Sequence, residues 1–467
     1  MALTPDAVLK LAEELIPQHR AMLDPNHHHG RIRRYLRGQH DLPYMPKKAK
    51  REYRILAERS ITNWLPLISD TFSKMLWVDG YRASTASDNS QAWRYWQANK
   101  LDARQSIAHR GALEYGASYV LVLPGEPDPL IRPISPLRTL AFYEDDDDEW
   151  PVHALIFKGR RIDGATLYQL LEGGSVHLVA ENRPGSGELE YIGEEVHNLP
   201  HVPLVRFRDR LDGEARGIIA PVINIQDRIN ESVFTLMIAL QYASFRQRWA
   251  TGLAIPVDDE TGLPIEPFEA AVDRLWVSDN PEARFGDFPQ TDVSGHLTTY
   301  QSAVKTLASI SQISPLVFLG DLVNLAADAL ASVEATTTRK GGEFETNFGE
   351  SWEQVFRLAS LADGDIDGAS DEESEVRWRE SEARALASTV DALGKMAQML
   401  MVPVEGLWDR IPGVTDGDVT RWREMAQRGD GLTALANALT ANAEATTTAS
   451  SFAPAPAPAP APDSPNP

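Results

Sequence analysis

GIIAPVINIQDRINESVFTLMIALQYASFRQRWATG, residues 217–252, is patterned for one long helix. Val222, Ile225, Ile229, Val233, Leu236, Leu240 and Ala243 recur at three- and four-residue steps, one apolar stripe on a helical surface. Pro221 suits a first turn, where a missing N–H costs nothing, and Gly252 suits the left-handed position after the last. A helix of roughly 30 residues spans about 45 Å. Its first half also carries Asn224, Gln226, Asp227, Asn230 and Glu231, and at its end Arg246 and Arg248 flank Phe245 and Trp249. From the stripe alone a core helix of one large domain is the first reading. Packing against other helices, copies of itself included, is the second.

Outside this stretch the 467 residues allow two to four domains. There is no cysteine, so disulfide and thiolate chemistry are excluded. The opening MALTPDAVLKLAEELIP reads as an amphipathic helix from Thr4-Pro5 to Pro17 and not as a signal peptide; no run is long enough to cross a membrane. A soluble chain made in the cytoplasm is expected. The net charge of −22 repels a nucleic-acid backbone as a whole-protein property, yet allows a protein that nucleic acid slides past. Residues 1–60 run against the trend, with 12 Lys/Arg to 7 Asp/Glu.

The basic stretch from Arg31 to Arg51 reads as a solvated or subunit-contacting face, and His27, His28 and His29 as a solvated loop. Strands are expected at the WVDGY segment, Ser118–Leu123, around Ile131, Leu140–Tyr143, Val152–Lys158, Thr166–Leu171, Ser175–Ala180 and Tyr191. Their alternation and turn residues point to an antiparallel sheet. The acidic run Glu144–Glu149 reads as a loop tip. Asp363, Asp365, Asp367 and Gly368 match the start of a calcium loop, but Ser374 stands where a bidentate Glu belongs, so an acidic linker is the better reading. There is no Walker sequence, nucleophile elbow or Cys/His metal framework. No catalytic residue, cofactor or metal is expected.

Val293, Leu297, Tyr300, Val304 and Leu307 repeat at four, three, four and three, a heptad-like seam on a second helix from 293 to 312. Pro315 then breaks the chain before the apolar run Leu316, Val317, Phe318 and Leu319, read equally as a buried turn or as a loop packed around a symmetry axis. A long helical region follows to Leu361, weakened and bent at Thr336–Thr338 and Gly341-Gly342. Glu375–Trp378 is strand-like, short helices follow, and the Ala/Pro-rich end from Asn442 cannot bury a core.

The strand Pro200–Phe207, the Gly213–Gly217 turn, the QDRIN core of the long helix and its QRWATG end resemble, in order and spacing, the portal (head–tail connector) proteins of tailed bacteriophages, of the type common in siphophages of actinobacteria. Asn63-Trp64 through Gly80-Tyr81, Tyr115–Val120 and Asn324–Leu330 match as well, so the resemblance runs from about residue 30 to 425. It implies an α+β, mainly helical portal fold with wing, long-helix stem, clip and crown, assembled as a ring of about twelve subunits around a channel for double-stranded DNA.

Carried over by segment, 1–29 is an N-terminal helix or arm, 30–216 the wing, 217–252 the first stem helix, 253–292 the clip and 293–312 the second stem helix. The tunnel loop is 313–323, a long bent wing helix with its return strand 324–379, the crown helices 380–441 and a disordered tail 442–467. The stem or oligomer interface is expected at Ile225, Ile229, Val233, Leu236, Leu240, Leu297, Tyr300, Val304 and Leu307. The tunnel loop is expected at Pro315, Leu316, Val317, Phe318 and Leu319. Acidic channel walls are expected to avoid phosphate, with Arg246 and Lys305 guiding DNA. Implied partners are further copies of the chain, the passing DNA, the terminase large subunit, a head–tail adaptor, and major capsid and scaffold proteins, in the virion and not at a membrane. The alternative is a phage metal-dependent nuclease using the acidic clusters at 144–149 or 363–375.

Overall fold

Helix α1 (Pro5–Met22) starts where Thr4 caps the amide of Ala7 and does not stop at Pro17, as expected from sequence, but runs through it. Pro17 lies on the exposed side, so the carbonyl it strips of a partner faces water. The opposite side, Val8, Ala12, Leu15 and Ile16, is buried against Leu155, Tyr168, Leu170 and Val179. Burying each large aliphatic is worth about 2 kcal/mol, together more than the roughly 3 kcal/mol a mid-helix proline costs. Arg20 closes the contact with an ion pair to Glu181. Residues 5–22 thus belong to the body of the protein.

The computed structural model describes residues 3–45, 51–84, 90–244, 248–251, 282, 284–287, 293–320, 327–379, 386–411, 414 and 416–429. The chain forms two units, Met1–Arg379 and Glu380–Pro467. In the first, α2 (His28–Leu36), α3 (Arg51–Arg59) and α4 (Leu65–Met75) lead to strand β1 (Val78–Arg82), then α5 (Ser90–Ala98) and α6 (Leu101–Tyr115). The histidine run is not a loop: His28 and His29 open α2, and the His29 ring stacks on Tyr115 at 5.5 Å. Burial first, then the neighbouring histidines, lower its pKa to about 4.

Strands β2 (Ala117–Leu123) and β3 (Leu130–Ile134) come next. After them β4 (Thr139–Phe142), β5 (His153–Arg160), β6 (Thr166–Leu171), β7 (Ser175–Glu181) and β8 (Leu189–Val196) form an antiparallel meander in chain order, as their alternation predicts. β9 (Leu204–Arg208) returns to pair with β2.

The long helix α7 (Ile223–Ser244) is followed by β10 (Arg248–Thr251), which pairs with β11 (Arg284–Asp287). Arg248 and Trp249 are therefore strand residues, not the last helical turn. Then come α8 (Ser294–Ser311), α9 (Pro315–Leu319), α10 (Ala327–Asp363), α11 (Ile366–Ala369) and β12 (Glu375–Trp378), which pairs antiparallel with β1. The second unit holds α12 (Leu386–Leu400) and α13 (Asp416–Gly429), with Trp408 edge-on to Trp422.

The 37 residues of α10 span about 55 Å. Helix is continuous through Thr336–Thr338 and Gly341-Gly342. A Cβ on Gly341 would lie 2.7 Å from the Met75 methyl, so this glycine admits α4 to close contact. Phe344, Phe348, Trp352 and Phe356, four residues apart, form the buried face and meet Phe72, Trp96, Phe207 and Tyr81.

His109 is buried within this aromatic core. Its Nδ1 lies 3.1 Å from the Leu76 carbonyl, and Trp352 Nε1–H donates to its Nε2 at 2.8 Å. An indole N–H can only donate, so the ring is the neutral tautomer with the proton on Nδ1. Burial lowers its pKa from 6.5 to about 3. Between those values the unfolded chain binds the proton and the folded chain does not. Stability from this group is therefore full above pH 6.5 and falls as pH drops toward 3. Urea midpoints measured from pH 7.5 to 4.5 are expected to decline on the acid side, and His109→Gln is expected to flatten that slope; an equal slope in the variant would remove His109 as its source.

Candidate functional site

Two glycines fix where α7 begins. Gly116 (φ +94°) ends α6 and Gly217 (φ +69°) precedes the 3-10 turn Ala220–Val222 that enters α7. A Cβ on Gly217 would lie 2.5 Å from the Glu114 carbonyl oxygen, and one on Gly116 would lie 2.6 Å from the Ala215 carbonyl carbon. The backbones touch because neither has a side chain. Ile218 N–H donates to Leu113 O at 2.7 Å, and Gly217 N–H to Asp209 Oδ2 at 3.1 Å. The Tyr115–Val120 and Gly213–Gly217 segments, a hundred residues apart in sequence, are thus one joint.

A buried polar clamp holds the first turns of α7. Gln226 Nε2 donates to Thr62 O at 2.7 Å and to Asn230 Oδ1 at 3.0 Å, and its Oε1 accepts from Trp64 N–H at 3.0 Å. Asn230 Oδ1 also accepts from Thr62 N–H at 3.1 Å, and its Nδ2 donates to His40 Nδ1 at 2.9 Å. The other ring nitrogen of His40 reaches Tyr35 O at 3.0 Å, so this histidine too is neutral, and burial lowers its pKa. Beside it the Tyr35 hydroxyl lies within 2.9 Å of both Asp41 and Asp227, and Arg34 pairs with Asp41 at 2.8 Å. With the side-chain polar atoms of Gln226, Asn230 and His40 all partnered, such a network fixes one register for the helix. These partners lie some 160–190 residues before α7.

From this anchored end α7 runs antiparallel to α8. The 3-10 turn touches α8 at the near end, and the β10–β11 ribbon joins the far ends. Burial divides the predicted interface. Ile225, Ile229, Val304 and Leu307 are at most 4% exposed and belong to the chain's own core. They are expected in the stem or oligomer interface; within the single chain its own helices cover them. Farther out Val233, Leu236 and Tyr300 are half-buried, and Leu240 and Leu297 are 46% and 48% exposed. The far half of the pair thus carries an apolar ridge that its own chain leaves largely uncovered.

α8 has no carboxylate from Ser294 to Ser311, and Lys305, on its exposed side, is its only Lys or Arg. Exposed hydroxyls dominate that side. Thr298, Thr299, Thr306 and Ser309 donate to the carbonyls of Ser294, Gly295, Ser302 and Lys305 at 2.9–3.0 Å. Their donors are occupied within the helix, so the surface is polar yet only weakly adhesive. Arg246 lies outside the described residues.

The segment after α8 is a short helix rather than an open loop. Gln312 closes α8 with a left-handed backbone, and Ser314 caps α9, whose first residue is Pro315. Pro315 thus starts a helix, where its fixed φ is suited. Phe318 is 6% exposed and sits edge-on to Trp64 at 5.7 Å. Leu316 and Leu319 are half-buried, while Val317 is 45% exposed. Phe318 thus packs within its own chain, in keeping with the buried turn that is one of the two equal readings.

The two acidic stretches have structural contacts of their own. Arg206 and Arg208 donate to the Asp146 carbonyl at 2.6 and 3.0 Å, pinning the 144–149 turn by its backbone. Asp363 accepts from the Tyr95 hydroxyl at 2.6 Å, and Asp365 caps α11. No group of three or more His, Asp or Glu able to hold a metal ion occurs among the described residues.

A scaffold that anchors a helical pair at one end and bares an uncharged, partly apolar surface at the other belongs to the class of structural assembly proteins. Residues 28–431 match the family model of phage portal proteins, SPP1 Gp6-like, and the chain belongs to that family. The portal protein of Mycobacterium phage D29 is 25% identical over 354 residues, 71% of each chain. That of Mycobacterium phage L5 is 24% identical over 359 residues, again 71% of each. Among solved structures, a chain from the neck of an empty GTA particle, computed with C6 symmetry, is similar at TM-score 0.46 and 12% identity, covering 79% of this chain and 95% of that one. A chain of the native gene transfer agent virion gives 0.44 over the same shares. The protein is a phage portal protein, a structural and non-enzymatic component of the head–tail connection of the virion that acts in DNA packaging. The nuclease alternative has no support. Family membership implies an oligomeric ring in the virion neck.

Proposed function

We propose that α7 and α8 form the stem of a closed ring of about twelve copies, related by a heterologous contact whose rotation closes, with the outer side of α8 lining the DNA channel. The single observation that carries this is the surface of α8. In a chain of net charge −22 it shows hydroxyls, one lysine and no carboxylate. Acidic walls were expected from composition; a hydroxyl wall does the same work with less repulsion. A carboxylate lining would raise the cost of bringing phosphate in, and a cationic lining would hold it by counterion release. Hydroxyls already bonded within the helix do neither, so a duplex can slide.

On this reading the exposed ridge Leu236, Leu240 and Leu297 meets the neighbouring stem, and Val317 on α9 faces the channel while Phe318 anchors the turn. Residues 30–216 and 324–379 serve as wing and 380–441 as crown. The segment 253–292, of which β11 is described, serves as the clip. It would dock the terminase large subunit and later a head–tail adaptor, with capsid and scaffold proteins around the ring.

Thr298→Lys with Ser302→Lys tests the lining. Both sites are exposed and share one side of α8. Rings of normal mass with less DNA per head are expected, the deficit shrinking as salt rises. Normal DNA content in intact rings would take α8 out of the channel.

A further inference from the structure

A cavity of about 430 Å³ lies between the last turn of α1, helix α2, the 3-10 turn Pro136–Arg138 and strands β5 and β6. Arg20, Arg33, Arg37, Arg138 and Arg160 line it, and no carboxylate does. In so acidic a chain this is a concentration of one sign of charge, with Arg37, Arg138 and Arg160 open to water and Arg33 and Arg37 shared with a neighbouring cavity that Asp70 and Glu114 also line. Arg20 is taken by Glu181, and Arg138 donates to the carbonyls of Phe157 and Lys158 at 2.9 and 3.1 Å. Among the described residues Arg33, Arg37 and Arg160 have no carboxylate within 4.0 Å. The Arg33 Nε and the Thr166 hydroxyl are buried without hydrogen-bond partners, and neither presents surface to the cavity. Gathering like charges costs stability unless something supplies negative charge.

We propose that this cavity binds a phosphate-class oxyanion, either inorganic phosphate or the phosphate of a small ester. Guanidinium forks match phosphate oxygens in pairs. The volume exceeds one phosphate group, leaving room for a small substituent. The site is separate from the helical pair and does not rest on the channel reading.

The test is calorimetric titration of the full chain with inorganic phosphate in sodium chloride at fixed ionic strength, with melting curves from the same preparations. One saturable site per chain is expected. Arg37→Ala with Arg160→Ala should weaken it about a hundredfold, roughly tenfold for each charged hydrogen bond lost. Without phosphate this variant is expected to melt at or above the wild-type temperature, because repulsion is relieved. With phosphate it should melt below wild type, a reversal that a merely structural role would not give. Should it fail to fold, Arg160→Gln alone carries the test, with about tenfold weaker binding expected. Absence of wild-type binding, or equal affinity in the variants, would overturn the proposal. Equal binding of acetate would reassign the site to carboxylates, and binding of a short DNA duplex without binding of free phosphate would reassign it to nucleic acid; either result overturns it too.

Discussion

A chain carrying Leu236→Asp and Leu297→Asp is expected to fold normally and to sediment as a monomer. Leu297 is 48% exposed and Leu236 half-buried, so carboxylates there meet water in the isolated chain at modest cost. In a ring the same carboxylates would be buried against a neighbour and unpaired, at several kcal/mol per contact, repeated around the ring. The control is Ile229→Asp, which is 0% exposed. It is expected to lose the fold itself, because the charge lands in the chain's own core. Intact rings from the double variant would show that this ridge lies outside the assembly contacts.

Trp352→Ala is the second large effect, and it falls on stability. Trp352 is fully buried, edge-on to Trp96 at 5.0 Å and to Phe207 at 5.0 Å. Removing a buried Trp costs about 3–5 kcal/mol through lost transfer energy and a residual cavity. The substitution also strands the Nε2 of His109, which has no other partner in so apolar a place, adding about 1–3 kcal/mol. Against a total stability of about 5–15 kcal/mol this removes roughly a quarter or more. Trp352→Phe keeps most of the volume and should isolate the smaller hydrogen-bond part. Urea denaturation of the three proteins checks the order; equal midpoints for wild type and Trp352→Ala would place the stabilising core elsewhere.

What the sequence made legible follows from local physics. The meander β4–β8 was readable because Thr166–Leu171 and its neighbours alternate between turn residues. The seam of α8 was readable because Val304 and Leu307 keep helical spacing and do face the core. Misreadings arose where tertiary contacts outweigh local signals. Pro17 ends a helix only if nothing holds the next turn, and here the sheet and Glu181 hold it. Trp249 fits a helical stripe and a strand equally, and the pairing of β10 with β11 decides for the strand. Pro315 breaks one helix and starts another with the same fixed φ. The clamp around Gln226 and Asn230 was out of reach, since its partners Thr62, Trp64 and His40 lie more than 160 residues earlier. Which of the stripe residues are core and which are ridge was also hidden. Periodicity gives the side of a helix but not how far along it the rest of the chain reaches.

Native mass measurement of the purified chain decides whether the α7–α8 pair builds a closed ring. One dominant species is expected, with a mass that is a whole-number multiple, about twelve, of the 51.7 kDa chain. A single 51.7 kDa species at the same concentration would contradict it.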